Sequence, residues 1–209
     1  MQFSIKHIAL LIITLMLSSP TWAEETLATI LSTATQQTSS IIDYREVRHL
    51  QLLTTPWQGT GRIFITKEKF AIVQQSPDRI QLVANQRRYW FFLPQRNIHR
   101  SGSTKSSMAT GKLGWFKPII RGDREAIEKN YDVRVSTTDK GWQLDLEPKQ
   151  TTSARYSHIT VKGEIGATSN YILTQMADGD HTEWFFQSHP FNHFADQALT
   201  KLIKETRGY

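Results

Sequence analysis

Hydrophobic and polar residues alternate with a period of two from Ile42 onward, which is the pattern of half-buried β-strands. The apolar runs are short, and turn clusters such as Ser76-Pro77-Asp78 and Asp178-Gly179-Asp180 separate them. Short strands joined by tight turns predict an antiparallel meander. The predicted strands are Tyr44–Leu53, Gly61–Thr66, Phe70–Gln75, Arg79–Ala84, Arg88–Leu93, Val133–Thr137, Trp142–Leu146, Ser157–Val161, Tyr171–Met176 and Thr182–Gln187.

Three other stretches have a helical period. Residues 26–37 place Leu27, Ile30 and Leu31 on one face. Residues 113–131 begin with apolar positions and end in the helix-like sequence DREAIEKNY, and the tail at Phe194–Arg207 is amphipathic. The pattern therefore predicts an α+β fold with one long antiparallel sheet and about three helical pieces.

The first 23 residues have the three parts of a secretory signal peptide. Lys6 precedes an apolar run at residues 8–17, and small residues stand at Thr21 and Ala23 before the expected cleavage site. The apolar run is shorter than the roughly 20 residues that span a membrane. We therefore expect an exported periplasmic protein with a signal peptide at 1–23 and a single domain at 24–209.

Composition adds two limits on partners and on covalent stabilisation. The chain has 25 Lys and Arg against 19 Asp and Glu, for a formal net charge of +6, and the basic residues are scattered. This distribution favours a mild preference for anionic membrane surfaces over nucleic acid. No cysteine is present, so packing alone must hold the fold together.

Aromatic residues exceed what a sheet with one wet face requires. The runs at Tyr89–Leu93 and Trp184–Phe186 are apolar on both faces. One explanation is that helices cover one face and that curvature buries the other. The second explanation is a sheet curled around an apolar chamber that a guest molecule fills.

Catalytic and metal-binding patterns are weak in this sequence. His189 and His193 have an i, i+4 spacing, but Pro190 between them opposes the helix that would align them. The acidic residues are dispersed, and no pair of them can be assigned as acid and base. We expect a protein that is not an enzyme and that requires no cofactor or metal.

Four stretches, taken in their order, resemble the periplasmic LolA-type lipoprotein carriers and their relatives LolB and RseB. The first is VRHLQLLTTPWQGTGRIFI, similar to the family's segment leading into a G-x-l-x-i strand. The second is RRYWFFLPQRNIHR, and the third is WQLDLEPK, close to the family's L-x-L-x-P-K. The fourth, ILTQMADGDHTEWFFQSHPFN, resembles its closing strands around a D-G-x-x-T turn. With the first helix, the resemblance spans roughly residues 26–193.

The resemblance implies an unclosed, strongly curved antiparallel β-barrel with helices that form a lid over an apolar chamber. It implies a carrier that takes the acyl chains of lipoproteins, or of a similar acylated lipid, from the inner to the outer membrane. It also implies an inner-membrane ABC-type release complex and an outer-membrane LolB-like acceptor. We expect the carrier to be a monomer.

The expected ligand site consists of inward-facing wall residues and apolar lid residues. The wall candidates are Ile63, Ile65, Phe70, Ile72, Leu82, Tyr89, Phe91, Trp142, Leu144, Leu146, Trp184 and Phe186. The lid candidates, from the stretches 26–37 and 113–131, are Leu27, Ile30, Leu31, Trp115, Phe116 and Ile119.

One departure from the family pattern concerns control of the lid. Typical lipoprotein carriers have an Arg-Pro pair after the G-x-l-x-i strand, and the Arg helps to hold the lid closed. Here the corresponding stretch is Thr66–Phe70, where Lys67 is the candidate donor or an ordinary solvated turn residue. The alternatives are a divergent branch that carries another lipid or acyl product, a RseB-like lipid sensor, and an acyl-substrate hydrolase around His189 and His193.

Overall fold

The computed structural model describes residues 27–32, 39–104, 115–149 and 156–208. Its main element is one eleven-stranded antiparallel sheet with the strand order β6-β5-β4-β3-β2-β1-β11-β10-β9-β8-β7. The sheet is not closed, since β6 and β7 are its two edges within these residues. The strands are β1 (Ser40–His49), β2 (Trp57–Ile65), β3 (Phe70–Ser76), β4 (Ile80–Ala84), β5 (Arg88–Leu93), β6 (Ile98–Ser103), β7 (Tyr131–Thr137), β8 (Gly141–Pro148), β9 (Tyr156–Glu164), β10 (Ser169–Met176) and β11 (His181–Pro190).

All ten predicted strands are present, β5 with the predicted ends and the others with one or both ends shifted, and the prediction missed one strand. The missed strand is β6, whose sequence IHRSGS has one apolar residue and therefore no alternation to detect. The predicted end of β1 at Leu53 is wrong, because the strand stops at His49. Leu52 and Leu53 continue the apolar alternation, but they lie in the following loop and are exposed.

Four helices surround the sheet within the described residues. These are α1 (27–32), α2 (Phe116–Arg121), α3 (Arg124–Asn130) and α4 (His193–Arg207). The Asp123 carboxylate accepts from the Ala126 N–H at 3.1 Å and begins α3, while the Asn192 side chain accepts from the Ala195 N–H at 3.0 Å and begins α4. The signal peptide and residues 26, 33–37, 113 and 114 of the predicted helical stretches lie outside the described residues.

The tight curvature of the sheet depends on glycines that face aromatic rings. Gly61 pairs with Tyr44, Gly102 pairs with Tyr89, and Gly163 pairs with Trp142 in adjacent strands. A Cβ at any of these glycines would clash with the ring opposite. Each ring therefore lies across its partner's backbone, where a glycine permits the close approach.

Two hydrophobic cores lie on opposite faces of the sheet. The larger core fills the concave face and includes side chains from α1, α2 and α3. The smaller core lies on the convex face, where Leu199, Leu202 and Ile203 of α4 pack on the outward side chains of β2, β3 and β4. The sheet is therefore apolar on both faces in this half, which accounts for part of the aromatic surplus.

Polar contacts attach the end of α4 to the convex face. Arg79 Nη2 lies 3.1 Å from Glu205 Oε2. Thr206 Oγ1 lies 2.7 Å from Oε1 of the fully buried Gln81, and the Arg207 guanidinium lies 4.1 Å from the centroid of the Trp90 ring. In the part of the chain described above, no helix combines the length and apolar character needed to cross a membrane.

Candidate functional site

The concave face is an apolar wall that runs across the strands. Ile63 pairs with Ile72, Ile72 pairs with Leu82, and Leu82 pairs with Phe91, so these side chains form one row across β2 to β5. Seven of the predicted wall residues are buried in the concave core: Ile63, Ile65, Phe70, Tyr89, Trp142, Leu144 and Leu146. Four are partly buried against it: Ile72, Leu82, Trp184 and Phe186.

Phe91 is the predicted wall residue that lies outside this cluster. It shares a face with Tyr89 but is only partly buried. The buried wall residues that were not predicted include Ile42, Tyr44, Ile159, Val161 and Ile172. The alternation within β1, β9 and β10 carried that signal, but the inward face of those strands had not been assigned.

The lid residues lie against this wall. All six predicted lid residues are buried in the concave core, together with Ile120 and Ile127 from α2 and α3. Phe116 is central, since its ring lies 6.3 Å from that of Phe70, 5.4 Å from that of Trp184 and 6.0 Å from that of Phe186. Trp115 extends the contact, with its ring 5.3 Å from that of Tyr156.

Among the described residues, a cavity of about 10 Å³ lies between lid and wall. This is the space of a single water, whereas ligand pockets typically have about 300–1,000 Å³. Ile30, Ile119, Leu144 and Val161 are among its lining residues. Side chains of the described residues fill the concave face around this cavity.

A single arginine connects the lid to the turn between β2 and β3. Arg121 Nη2 donates to the Thr66 carbonyl oxygen at 3.0 Å and approaches that of Lys69 at 3.4 Å. Lys67, the expected donor, is exposed and makes no hydrogen bond or ion pair with the described residues. The contact therefore runs from the lid to the turn, opposite to the direction that the resemblance suggested. Sequence reasoning missed Arg121 because only the turn had been searched for a donor.

A polar patch interrupts the apolar wall beside Trp184. Glu46 is buried and pairs with Trp184 across the sheet, and its carboxylate lies 2.6 Å from Arg48 Nε. The buried Trp184 indole N–H has no hydrogen-bond partner among the described residues. Burial, assisted by the negative charge of Glu46, raises the pKa of the Tyr44 phenol well above its usual value.

The histidines of the convex face form structural contacts. His189 Nε2 lies 3.2 Å from Asp43 Oδ2, and the other oxygen of that carboxylate accepts from Arg62 Nε at 2.6 Å. His193, at the start of α4, lies 2.9 Å from Gln197 Nε2, so the two histidines have separate partners. Within the described ranges, no group of three or more His, Asp or Glu side chains is arranged to hold a metal ion.

Three solved structures align with this chain over most of its length. A LolA superfamily protein from Nitrosomonas europaea aligns with a TM-score of 0.44 and 11% identity, over 81% of this chain and 94% of that protein. A DUF1329 family protein from Desulfovibrio piger aligns with a TM-score of 0.46 and 10% identity, over 82% and 93% of the two chains.

A third neighbour is a domain assigned as an outer membrane lipoprotein-sorting protein from Vibrio parahaemolyticus, with a TM-score of 0.42 and 10% identity. The alignment covers 85% of this chain and 98% of that domain. No protein-family model and no curated protein sequence matches the chain. At these identities and scores the likeness concerns the outline of the fold alone.

Proposed function

We propose that this protein is a non-enzymatic carrier that binds acyl chains on the concave face of its sheet, beneath α1, α2 and α3. The observation that supports it is the pairing of an apolar wall with a short lid whose apolar side chains pack against that wall and whose polar attachment, among the described residues, is Arg121. An ordinary core would have no need for a helix of six residues that projects Trp115, Phe116, Ile119 and Ile120 between the strands.

Transfer energies support an exchange between lid and guest. Each acyl CH₂ that leaves water for an apolar site gains about 0.8 kcal/mol, so a chain of about twelve carbons gains about 9 kcal/mol. Exposing one buried Phe or Ile side chain costs about 1.5–3 kcal/mol. The helix α2 buries three large apolar side chains, and its N-cap residue Trp115 is buried as a fourth. The two sums are comparable, which suits a carrier that must both take up and release its guest.

The biological setting belongs to the same proposal. After removal of its own signal peptide, the protein would carry its cargo through the periplasm. The cargo would be acylated lipoproteins, or a different lipid in a divergent LolA-like branch. An inner-membrane ABC-type release complex would supply this cargo, and an outer-membrane LolB-like protein would accept it. The wall and lid residues named above would form the binding site, without cofactor or metal.

Titration of the protein lacking residues 1–23 with a fluorescent fatty acid tests the proposal. We expect saturable binding to the wild type and tighter binding to Phe116→Ala, because less apolar lid surface must then be exposed. Leu199→Ala is the matched control, since it removes a buried side chain from the convex core and leaves the concave face unchanged. It should leave the affinity unaltered.

Two outcomes would contradict the carrier proposal. If the wild type shows no uptake and Phe116→Ala alone binds the probe, the substitution has made a cavity and the natural protein has a solid core. If Leu199→Ala changes the affinity as much as Phe116→Ala, binding reflects partial unfolding. If neither outcome is observed, mass spectrometry of the complex isolated from periplasm would identify the natural cargo.

A further inference from the structure

Two cationic side chains stand one helical turn apart on the lid helix α2. Lys117 and Arg121 are separated by four residues, so both lie on the same side of the helix. Both are partly buried, and the buried side chains of the same helix, Phe116, Ile119 and Ile120, point into the concave core. Arg121 contacts the turn between β2 and β3, so this side of the helix faces that turn.

The hydrogen-bonding capacity of this pair is incompletely used. Arg121 Nη2 reaches the turn between β2 and β3, but Arg121 Nε is buried and has no partner among the described residues. Lys117 makes no hydrogen bond or ion pair with any of them. Asp123, the acidic residue whose charge acts on both cations, caps α3 through the Ala126 N–H and so has another partner. A buried donor without an acceptor is costly, and native proteins rarely keep one.

Electrostatics point in the same direction. Burial, followed by the nearby positive charge of Arg121, lowers the pKa of the Lys117 ammonium below its usual value. Burial likewise lowers the pKa of Arg121. Two like charges held together in a partly dry site, without a carboxylate partner, are stabilised when an anion arrives.

We propose that Lys117 and Arg121 form an anion-binding site that recognises a phosphate or carboxylate group attached to the acyl cargo. This inference rests on the proposed carrier function and specifies its ligand as an acidic amphiphile. An acyl chain beneath α2 that takes the place of Phe116 would hold its polar end beside these two side chains. The planar guanidinium and the ammonium are suited to oxygen anions of either kind.

The site also connects recognition to opening. Arg121 keeps α2 on the sheet through neutral carbonyl oxygens, and hydrogen bonds to an ionised acceptor are roughly twice as strong as those to a neutral one. An anionic head group would therefore draw the guanidinium away from Thr66 and Lys69. Binding of the anionic cargo would therefore itself release α2 from the sheet and open the site beneath the helix.

Affinity measurements with matched ligands and matched variants test this site. The ligands are palmitate and its methyl ester, which share a chain and differ in charge. The variants are Lys117→Gln and Lys67→Gln, which remove the same charge from α2 and from the nearby exposed turn. We expect Lys117→Gln to weaken palmitate binding about five- to tenfold and to leave ester binding unchanged. Lys67→Gln should alter neither. The proposal would be overturned if Lys117→Gln and Lys67→Gln changed the affinity for palmitate equally. It would also be overturned if Lys117→Gln weakened the binding of palmitate and of its ester equally.

Inorganic phosphate, titrated alone, separates this site from the carrier function and distinguishes a free anion from a lipid head group. The readout is the ¹⁵N chemical shift of the Lys117 ammonium, with Lys67 as the internal reference. A saturable shift at Lys117 supports the site even if no acyl probe binds, in which case the carrier proposal alone fails. Competition between phosphate and palmitate, but not between phosphate and the ester, supports a head-group site. No shift with phosphate, combined with equal affinity for palmitate and its ester, overturns the site while leaving the carrier proposal standing.

Discussion

At the residue scale, close approach of aromatic rings to backbone shapes the concave wall. Trp142 lies over Gly163, and its indole N–H donates to the Glu164 carbonyl oxygen at 3.0 Å, which fixes the ring across β9. Tyr44 lies over Gly61 in the same way at a bulge of β2. The sequence shows these glycines within strand-like segments, but only the strand register shows which ring each one faces.

The first prediction concerns Gly163. Gly163→Ala should lower the free energy of unfolding by about 1–3 kcal/mol, because the added methyl group overlaps the Trp142 ring. Urea denaturation measures the change. In a Trp142→Leu background the same substitution should lower the free energy of unfolding by much less. If the loss is the same in that background, the Trp142 ring is not its cause.

The second prediction concerns acid stability. The hydrogen bond from Arg62 holds the pKa of Asp43 below its usual value, against the effect of burial, and the charges of Arg62 and His189 add to it. Because the folded-state pKa of Asp43 is lower than the unfolded-state pKa of about 3.9, the ionised carboxylate stabilises the fold at pH values above about 3.9. This stabilisation is lost as the pH falls through the folded-state pKa.

Asp43→Asn should therefore cost at most about 1 kcal/mol at pH 7, since the pair is partly exposed, and the cost should shrink below about pH 4. Urea unfolding at several pH values measures this difference. Asp78→Asn, in the turn between β3 and β4, is the control for loss of one charge. A cost for Asp43→Asn that stays constant from pH 7 to pH 2 would contradict the argument.

At the element scale, the sequence predicts each helix and strand better than it predicts which faces meet. Period-two alternation located ten strands, and the amphipathic tail was recognised as a helix that proves to be α4. Where α4 packs depends on β3, whose first four residues, Phe70-Ala71-Ile72-Val73, are apolar on both faces. Such a run indicates a strand covered on both sides. It does not say which helix covers each side.

The third prediction measures the attachment of α4. Leu199→Ala should lower the free energy of unfolding by about 2–5 kcal/mol, because Leu199 is buried in the convex core. Phe194→Ala on the same helix should change it by less than about 0.5 kcal/mol, since Phe194 is 77% exposed. Similar costs for both substitutions, measured by chemical denaturation, would mean that α4 does not pack as described.

At the scale of the whole molecule, the two helical coverings of the sheet differ in how they are attached. The end of α4 has an ion pair, a buried hydrogen bond and a cation–π contact, in addition to its apolar face. Among the described residues, the polar attachment of α2 is the side chain of Arg121. The reach of Arg121 to a distant turn is a tertiary contact without a local signal in the sequence.

The fourth prediction follows from this contrast. Arg121→Ala should increase the hydrogen-exchange rates of the amides in residues 116–121 and leave those of α4 unchanged, because the lid then opens at lower cost. Lys67→Ala, in the turn that Arg121 contacts, is the matched control and should change neither helix. Unchanged exchange in α2 of the Arg121 variant would show that its apolar contacts alone hold the lid.

The open edges of the sheet have a consequence for cargo selection. In a closed barrel, the number of strands and their stagger fix the diameter, so the interior admits only ligands of a matching size. Here β6 and β7 are the edges of the described sheet, and no ladder of hydrogen bonds sets the distance between them. Under the proposed function, the space beneath the lid can widen with its contents. Selectivity should then depend on the polar end of a cargo, whereas cargoes with acyl chains of different lengths, or with different numbers of acyl chains, should all bind.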